Sequence, residues 1–458
     1  MKAPFPQRHH YAFASIAFAL FIVYGSLVPF EAISLSFSTA RIQFAEAMRT
    51  TFSFESRSDW VANILLYIPL GFVGCAALMV DRRHLWAPMA VIAAVFVICM
   101  GVEFAQLWFP MRTTSVNDVI ANTVGGGIGA VGWCLYGQNV TERMRTLWTT
   151  SGREHAFFRI IPFYLLFLIA VNGMPFDLSI SPTELWYKYK AGRIQWFPPV
   201  GFLEKLLVIV AYFAPIGWMW ARFTTPKWGD NFLYALGIGF ACATLLELVQ
   251  LSVLSCGTYL SDVIAGTGAV LLGWQFARTP LIVSRYRIFF ALLWCVALAT
   301  VHWYGRIWVG TGWLHWKFEE IFWVPFTDYF RSHYLTAFGK IVDRTMVMIV
   351  LGVLLHRKSG WAWTSLIVGT IALLLECGLL FMGNSPTSAA FLENPFSPIP
   401  STSKVELGFI GGGIGGWLAL RWGNRSSVVQ QAPPKQPQEN QRPMYAPRWP
   451  GPRPQSAN

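Results

Sequence analysis

Charge is what this chain has least of. Only 13% of its 458 residues are Asp, Glu, Lys or Arg, against roughly 25% in soluble globular domains. With 54% hydrophobic residues, that scarcity excludes an ordinary soluble fold. Catalytic templates are missing too. No HExxH, GxSxG or Walker sequence occurs, which removes the zinc-protease, α/β-hydrolase and P-loop routes. The cysteines at 75, 99, 134, 242, 256, 295 and 377 form no CxxC, so neither a disulfide framework nor a zinc site is expected. The histidines lie in loops, tails or at the ends of apolar runs, and no metal or other cofactor is implied.

What the chain does have is long apolar runs. About twelve reach the roughly 20 residues that cross a hydrocarbon core as a helix. They lie near 11–30, 60–80, 85–109, 116–136, 156–174, 202–222, 232–255, 260–277, 286–304, 340–356, 361–382 and 405–422. The expected fold class is therefore an all-α polytopic membrane protein, with interfacial segments in its longer loops. The net charge of +12 comes from basic residues scattered over short loops and the tail, a distribution that does not point to nucleic acid. Arg82, Arg83, Arg143, Arg145, Arg153, Arg278, Arg285, Arg287, Arg357 and Lys358 gather on one side of the alternating spans. The positive-inside rule then predicts both termini in the cytoplasm. Residues 1–30 also read as a cleavable signal peptide, but later copies of the same segment favour a retained first helix.

Those copies are the main internal pattern. "LVPF" at 27–30 returns as "GMPF" at 173–176 and "WVPF" at 323–326. "GVEFAQLW" at 101–108 returns as "LLELVQLS" at 245–252, and "LLLECGLL" at 373–380 keeps only the glutamate. "NTVGGGIGAVGW" at 122–133 matches "GFIGGGIGGWLAL" at 408–420. Three units follow, at 1–150, 151–284 and 285–425, the last degenerate. Each contains four spans, so all three enter the membrane in the same sense, as parallel repeats. Residues 426–458, rich in Pro and Gln, read as a disordered cytoplasmic tail.

With that topology the polar residues of unit one collect at the outer end. Glu103 and Gln106 lie three apart near the end of span three, and Asp118 and Asn122 four apart at the start of span four, each pair on one helical face. Asp59 and Asn63 open span two, and Arg112 sits in the turn between spans three and four. Unit two offers Glu247, Gln250 and Asp262, with Lys205 at the Asp59 position. Unit three keeps Glu376 but has Lys404 at the aspartate position and Lys340 and Arg344 where Asp59 and Asn63 would align. Two readings stay open. These groups are interhelical glue, or they line a cavity for a polar head group, as ionisable residues in a membrane often do. The spacings Gly125/Gly129 and Gly411/Gly415 are GxxxG patterns that let helix backbones approach closely. Tryptophan-dense loops at 302–326 and 185–199 read as an aromatic belt, or as short interfacial helices roofing the polar end.

A Pro-Phe at the start of a long outer loop, "NILLYIPLGF", then "GVEFAQLWFPMRTTSVNDVIANTVGGGIG", resembles the VanZ-like family of bacterial membrane proteins. Glu103, Gln106, Arg112, Asp118, Asn122 and Gly125 fit the family pattern on spans three and four, and Asn63, Pro69 and Gly71 fit it on span two. Unit two departs from it with Cys256 at the arginine and Gly266 at the asparagine position. The resemblance implies the bacterial inner membrane and a link to the cell envelope and glycopeptide resistance. It implies no settled reaction. The expected function is binding or translocation of an amphipathic envelope molecule, a lipid-linked glycan or lipopeptide, through an outward-facing polar cavity, with an effect on antibiotic sensitivity. Glu103, Arg112 and Asp118 lead, and Arg112 would contact phosphate or carboxylate. Expected partners are membrane lipids and other envelope proteins. Two alternatives stand beside this: a membrane-embedded enzyme with Glu103 and Asp118 as acid–base pair, and a non-catalytic scaffold.

Overall fold

The computed structural model describes residues 5–28, 30, 32–49, 57–82, 84–109, 114–149, 156–179, 181–198, 201–304, 306–308, 326, 334–356, 360–384 and 401–427. The first unit holds α1 (Arg8–Leu27), a short α2 (Phe37–Ala47), α3 (Arg57–Met79), α4 (Ala87–Gln106) and α5 (Val116–Gly132). A π turn at Trp133–Gly137 carries α5 on into α6 (Gln138–Thr149). The second holds α7 (Ala156–Asn172), α8 (Pro182–Lys190), α9 (Phe202–Phe223), the single-turn α10 (Pro226–Gly229), α11 (Phe232–Ser252) and α12 (Leu260–Arg278). The third holds α13 (Pro280–Trp303), α14 (Tyr334–Leu355), α15 (Trp361–Leu379) and α16 (Thr402–Ser427).

Among the described residues nine helices are long and apolar enough to cross a membrane: 8–27, 60–79, 87–106, 116–146, 202–223, 232–252, 260–278, 285–303 and 361–379. The other three anticipated spans are helices that miss this standard for identifiable reasons. In α7 the apolar stretch Phe157–Asn172 is short. Lys340, Asp343 and Arg344 interrupt the first half of α14, and glycines at 408, 411, 412, 413, 415 and 416 dilute α16. These residues face protein: Asp343 and Arg344 meet Tyr212 and Glu204 of unit two, and Gly411, Gly412, Gly415 and Gly416 lie against α14 and α15.

One packing scheme recurs in all three units. The fourth span lies against both the second and the third: α5 on α3 and α4, α12 on α9 and α11, α16 on α14 and α15. Lipid tails give helices no hydrophobic drive to associate, so close backbone packing must supply it. Glycine makes that possible. A Cβ added at Gly125 or Gly129 would strike the Ile64 or Ile68 carbonyl oxygen of α3, and one at Gly415 would strike the Ile349 carbonyl of α14. The GxxxG reading is borne out, and unit two uses Gly217 and Gly273 the same way, each against a carbonyl of the opposing helix.

The second span of each unit enters after a Pro-Phe, and Phe30, Phe176 and Phe326 all adopt left-handed backbone, φ 64°, 65° and 62°. For a bulky residue that costs about 1–2 kcal/mol, so the surroundings must enforce it. Phe30 and Phe176 donate their N–H groups to Leu27 and Gly173 carbonyls at 3.0 and 2.7 Å, and Phe326 donates to Ser403 Oγ at 2.7 Å.

Unit three touches both of the others. Val28 of the first is buried against Ala337 and Leu407 of the third, and the Phe21 and Phe338 rings are 5.9 Å apart. On its other side α14 packs on α9, where Leu207 and Ala211 join Val347 and Leu351 in one core. Tyr212 of α9 donates its hydroxyl to Asp343 of α14 at 2.6 Å. At the end of the bundle away from the Pro-Phe loops, Arg145 holds Asp81 in a two-pronged ion pair, which keeps that carboxyl below its ordinary range.

Candidate functional site

The polar residues singled out by the sequence lie where loops re-enter the bundle, and their first role is to finish helices. A helix leaves its first N–H groups without intrahelical partners. In unit one Glu103, at the end of α4, turns Oε2 to the N–H of Ser115, the residue capping α5, at 2.9 Å. In unit two Glu247 does the same for Tyr259 ahead of α12, at 3.1 Å. In unit three Glu376 does it for Ser401 ahead of α16, at 3.0 Å. Glu103 and Glu376 are buried and Glu247 is half-buried, and each carboxylate sits at the positive end of a helix dipole.

Three residues after each of those caps comes the position occupied by Asp118, Asp262 and Lys404. In unit one Asn63 of α3 donates to Asp118 Oδ1 at 2.6 Å. In unit two Lys205 of α9 forms an ion pair with the buried Asp262 and lies over the Tyr259 ring, 4.0 Å from its centroid. Both bonds tie the second span to the fourth. Unit three has no such pair to make, because its fourth-span residue is Lys404.

Gln106 reaches back to the Ser26 carbonyl at the end of α1, at 3.1 Å. Gln250 reaches the equivalent end of α7, donating to Asn172 Oδ1 at 2.7 Å. Asn122 is buried in α5 beside Cys99. The side-chain carbonyl oxygens of Gln106, Asn122 and Gln250 have no hydrogen-bond partner among the described residues. Of the remaining expected site residues, Arg112 lies outside the described residues, as does the side chain of Asp59 on α3.

Loop segments pack onto this end of each unit. In unit one the Ile33 N–H donates to the Trp108 carbonyl at 2.8 Å, and Phe37 and Phe44 of α2 pack edge-on to Phe104. In unit two β1 (Ile194–Gln195) pairs in parallel with β2 (Thr258–Tyr259). Lys188 of α8, unforeseen from the sequence, is buried and donates to the carbonyls of Gln250, Leu251 and Val253 at 2.6, 3.1 and 2.7 Å. It closes the C-terminus of α11, where a cation suits the dipole, while burial pushes its ammonium below the usual lysine range. The YKYK run carries the signal: two lysines two apart on a nine-residue helix, of which one turns inward. Trp186, Tyr187 and Tyr189 on the same helix stay exposed. In unit three β3 (Arg306–Trp308) pairs antiparallel with β4 (Met382–Asn384). Most of the tryptophan-rich loop at 309–325 lies outside the described residues.

Among the described residues, unit three carries a cleft at this end of the molecule. A small open cleft, with about 20 Å³ of room for water-sized groups, it is lined by Leu298, His302, Arg344, Met348, Ala372, Leu375, Glu376 and Lys404. Apolar and charged side chains share its lining. Glu376 Oε1 lies 3.1 Å from His302 Nε2 and 3.4 Å from Lys404 Nζ. Among the described residues Arg344 is paired with Glu204 of unit two, at 3.2 Å, and that glutamate is half exposed. Arg306 adds a further cation near Glu376, and its Nη1 is buried without a hydrogen-bond partner. His302 and Arg306 fall in "HWYGR", a polar ending to an apolar span, which is the signal that could have marked them. Chemically, the acidic groups of units one and two are engaged by neighbouring donors, whereas unit three presents cations beside a cleft.

Compared with known proteins, residues 6–137 match the family model described as VanZ/LLP1. No curated protein and no solved structure matches the chain.

Proposed function

We propose that this multi-helix membrane protein, whose residues 6–137 match the VanZ/LLP1 family model, binds the head group of an amphipathic envelope molecule. Binding takes place at the end of the bundle carrying the Pro-Phe loops, in the cleft of unit three. One observation carries the reading: a small open cleft in which Leu298, Met348, Ala372 and Leu375 lie beside Arg344, Lys404 and His302, with Glu376 among them. Such a lining suits a molecule with a charged head and an apolar body, and sites of this kind form between helices of bundles. A lipid-linked glycan or a lipopeptide has that make-up. In the orientation favoured by the arginine distribution, both termini are cytoplasmic and the cleft opens outside the inner membrane, where such molecules are handled. Units one and two then serve as the frame. The acid–base alternative is less well supported, since Glu103 and Asp118 are occupied by Ser115 and Asn63.

The test is native mass spectrometry of the full chain purified in mild detergent from bacterial membranes. Wild-type protein should carry an amphiphile adduct. Leu298→Trp and Leu375→Trp, which fill the cleft, should lose it while unfolding cooperatively on heating. Absence of any adduct, or an adduct indifferent to both substitutions, would overturn the reading and leave the scaffold role.

A further inference from the structure

The three units differ at one pair of positions, and the difference has a chemical meaning. Counting back from the residues at which second and fourth spans touch puts the units in register. Gly71 meets Gly126, Gly217 meets Val270 and Gly352 meets Gly412. Eight residues before the fourth-span member stand Asp118, Asp262 and Lys404. Twelve and eight residues before the second-span member stand Asp59 and Asn63, Lys205 and Ile209, Lys340 and Arg344. In unit one the gap between spans is bridged by Asn63 and the Asp118 carboxylate. In unit two it is bridged by Lys205 and the Asp262 carboxylate. In unit three both sides are cationic, so no bridge forms, and there the cleft lies, with Arg344 on one wall and Lys404 on the other.

We propose that an anionic group of the phosphate type, carried on the ligand, occupies in unit three the place that the Asp118 and Asp262 carboxylates occupy in units one and two. The inference rests on the amphiphile-binding reading and specifies the head group. Both cations are available at small cost. The ion pair of Arg344 with Glu204 is solvent-facing, and such pairs contribute little. Lys404 is the most distant partner of a carboxylate already served by His302 and the Ser401 N–H. A guanidinium on α14 can grip two oxygens of a phosphate in parallel, and an ammonium on α16 supplies the opposing point charge. Leu298, Met348, Ala372 and Leu375 then receive the first carbons of the apolar body.

The experiment uses the full chain in neutral detergent, titrated separately with dioleoylphosphatidylglycerol, dioleoylphosphatidylcholine and inorganic phosphate, and read by adduct mass and thermal midpoint. Wild-type protein should retain phosphatidylglycerol and be stabilised by it, but not by the zwitterionic lipid. Lys404→Asp supplies the missing carboxylate in cis, where Arg344 can take it. That variant should keep or raise its midpoint without lipid and weaken phosphatidylglycerol retention about tenfold or more, the loss expected when a charge-assisted bond is removed. Arg344→Gln should weaken it similarly, and Lys404→Arg should preserve it. Stabilisation by inorganic phosphate equal to that by the lipid would support the anion site and assign it a soluble ligand. Equal retention of both lipids, or unchanged retention by Lys404→Asp, would overturn the inference. If Leu298→Trp expels an amphiphile that Lys404→Asp still holds, the cleft binds a head group that is not anionic; if neither substitution matters, both readings fail.

Discussion

Glu103, Glu247 and Glu376 each direct one carboxylate oxygen to a backbone N–H at the head of the following helix. The acceptor, more than the charge, is what this geometry requires. Glu103→Gln keeps an oxygen in place and should leave thermal stability within about 1 kcal/mol of wild type, whereas Glu103→Ala strands the Ser115 N–H and should cost about 1–3 kcal/mol. Equal losses for the two would show that charge compensation is the main role; chemical denaturation in detergent reads the difference. The positions were legible in the sequence because Glu-x-x-Gln stood out against apolar surroundings. The role was not, because the partner is main chain, and a main-chain donor leaves no mark in the residue pattern. The same blindness hid Lys188, whose partners are three carbonyls.

At the scale of helices, glycine was read correctly because its effect is steric and local. Gly125 and Gly129 bring α5 onto the backbone of α3, while Gly101 on α4 has nothing within 4 Å of an added Cβ. Gly129→Ala should therefore destabilise by about 1–3 kcal/mol through overpacking. Gly101→Ala should stabilise slightly, since Ala is the better helix former by nearly 1 kcal/mol. Thermal unfolding of the pair checks the contrast, and a destabilising Gly101→Ala would mean that α4 packs on something else in the membrane. The span count was harder to read. In α14 charged residues interrupt the apolar run because two of them face unit two, Asp343 toward Tyr212 and Arg344 toward Glu204. A hydropathy window registers the interruption but not the protein partner that accommodates it.

For the whole molecule, the order of packing was beyond the sequence. Repeated motifs identify like with like, yet the contact surfaces between units are not repeated: Val28 meets Ala337 and Leu407, while Leu207 and Ala211 meet Val347 and Leu351. Orientation, by contrast, rests on charge alone, since Arg82, and Arg145 where it pairs with Asp81, lie at the end of the first unit opposite the Pro-Phe loop. It is checked with a variant in which the native cysteines are replaced and one exposed position is returned to cysteine. Tyr187 on α8 and Leu85 between α3 and α4 are 65% and 94% exposed at opposite ends of the bundle, which makes both reachable by a reagent in water. In intact cells with a permeable outer layer, Tyr187→Cys should react with a membrane-impermeant maleimide. Leu85→Cys should react only once the inner membrane is opened. The reverse pattern would place the cleft of unit three in the cytoplasm, where a lipid-linked precursor is met before its transfer outward, and a head group presented from the outer leaflet could not be its ligand.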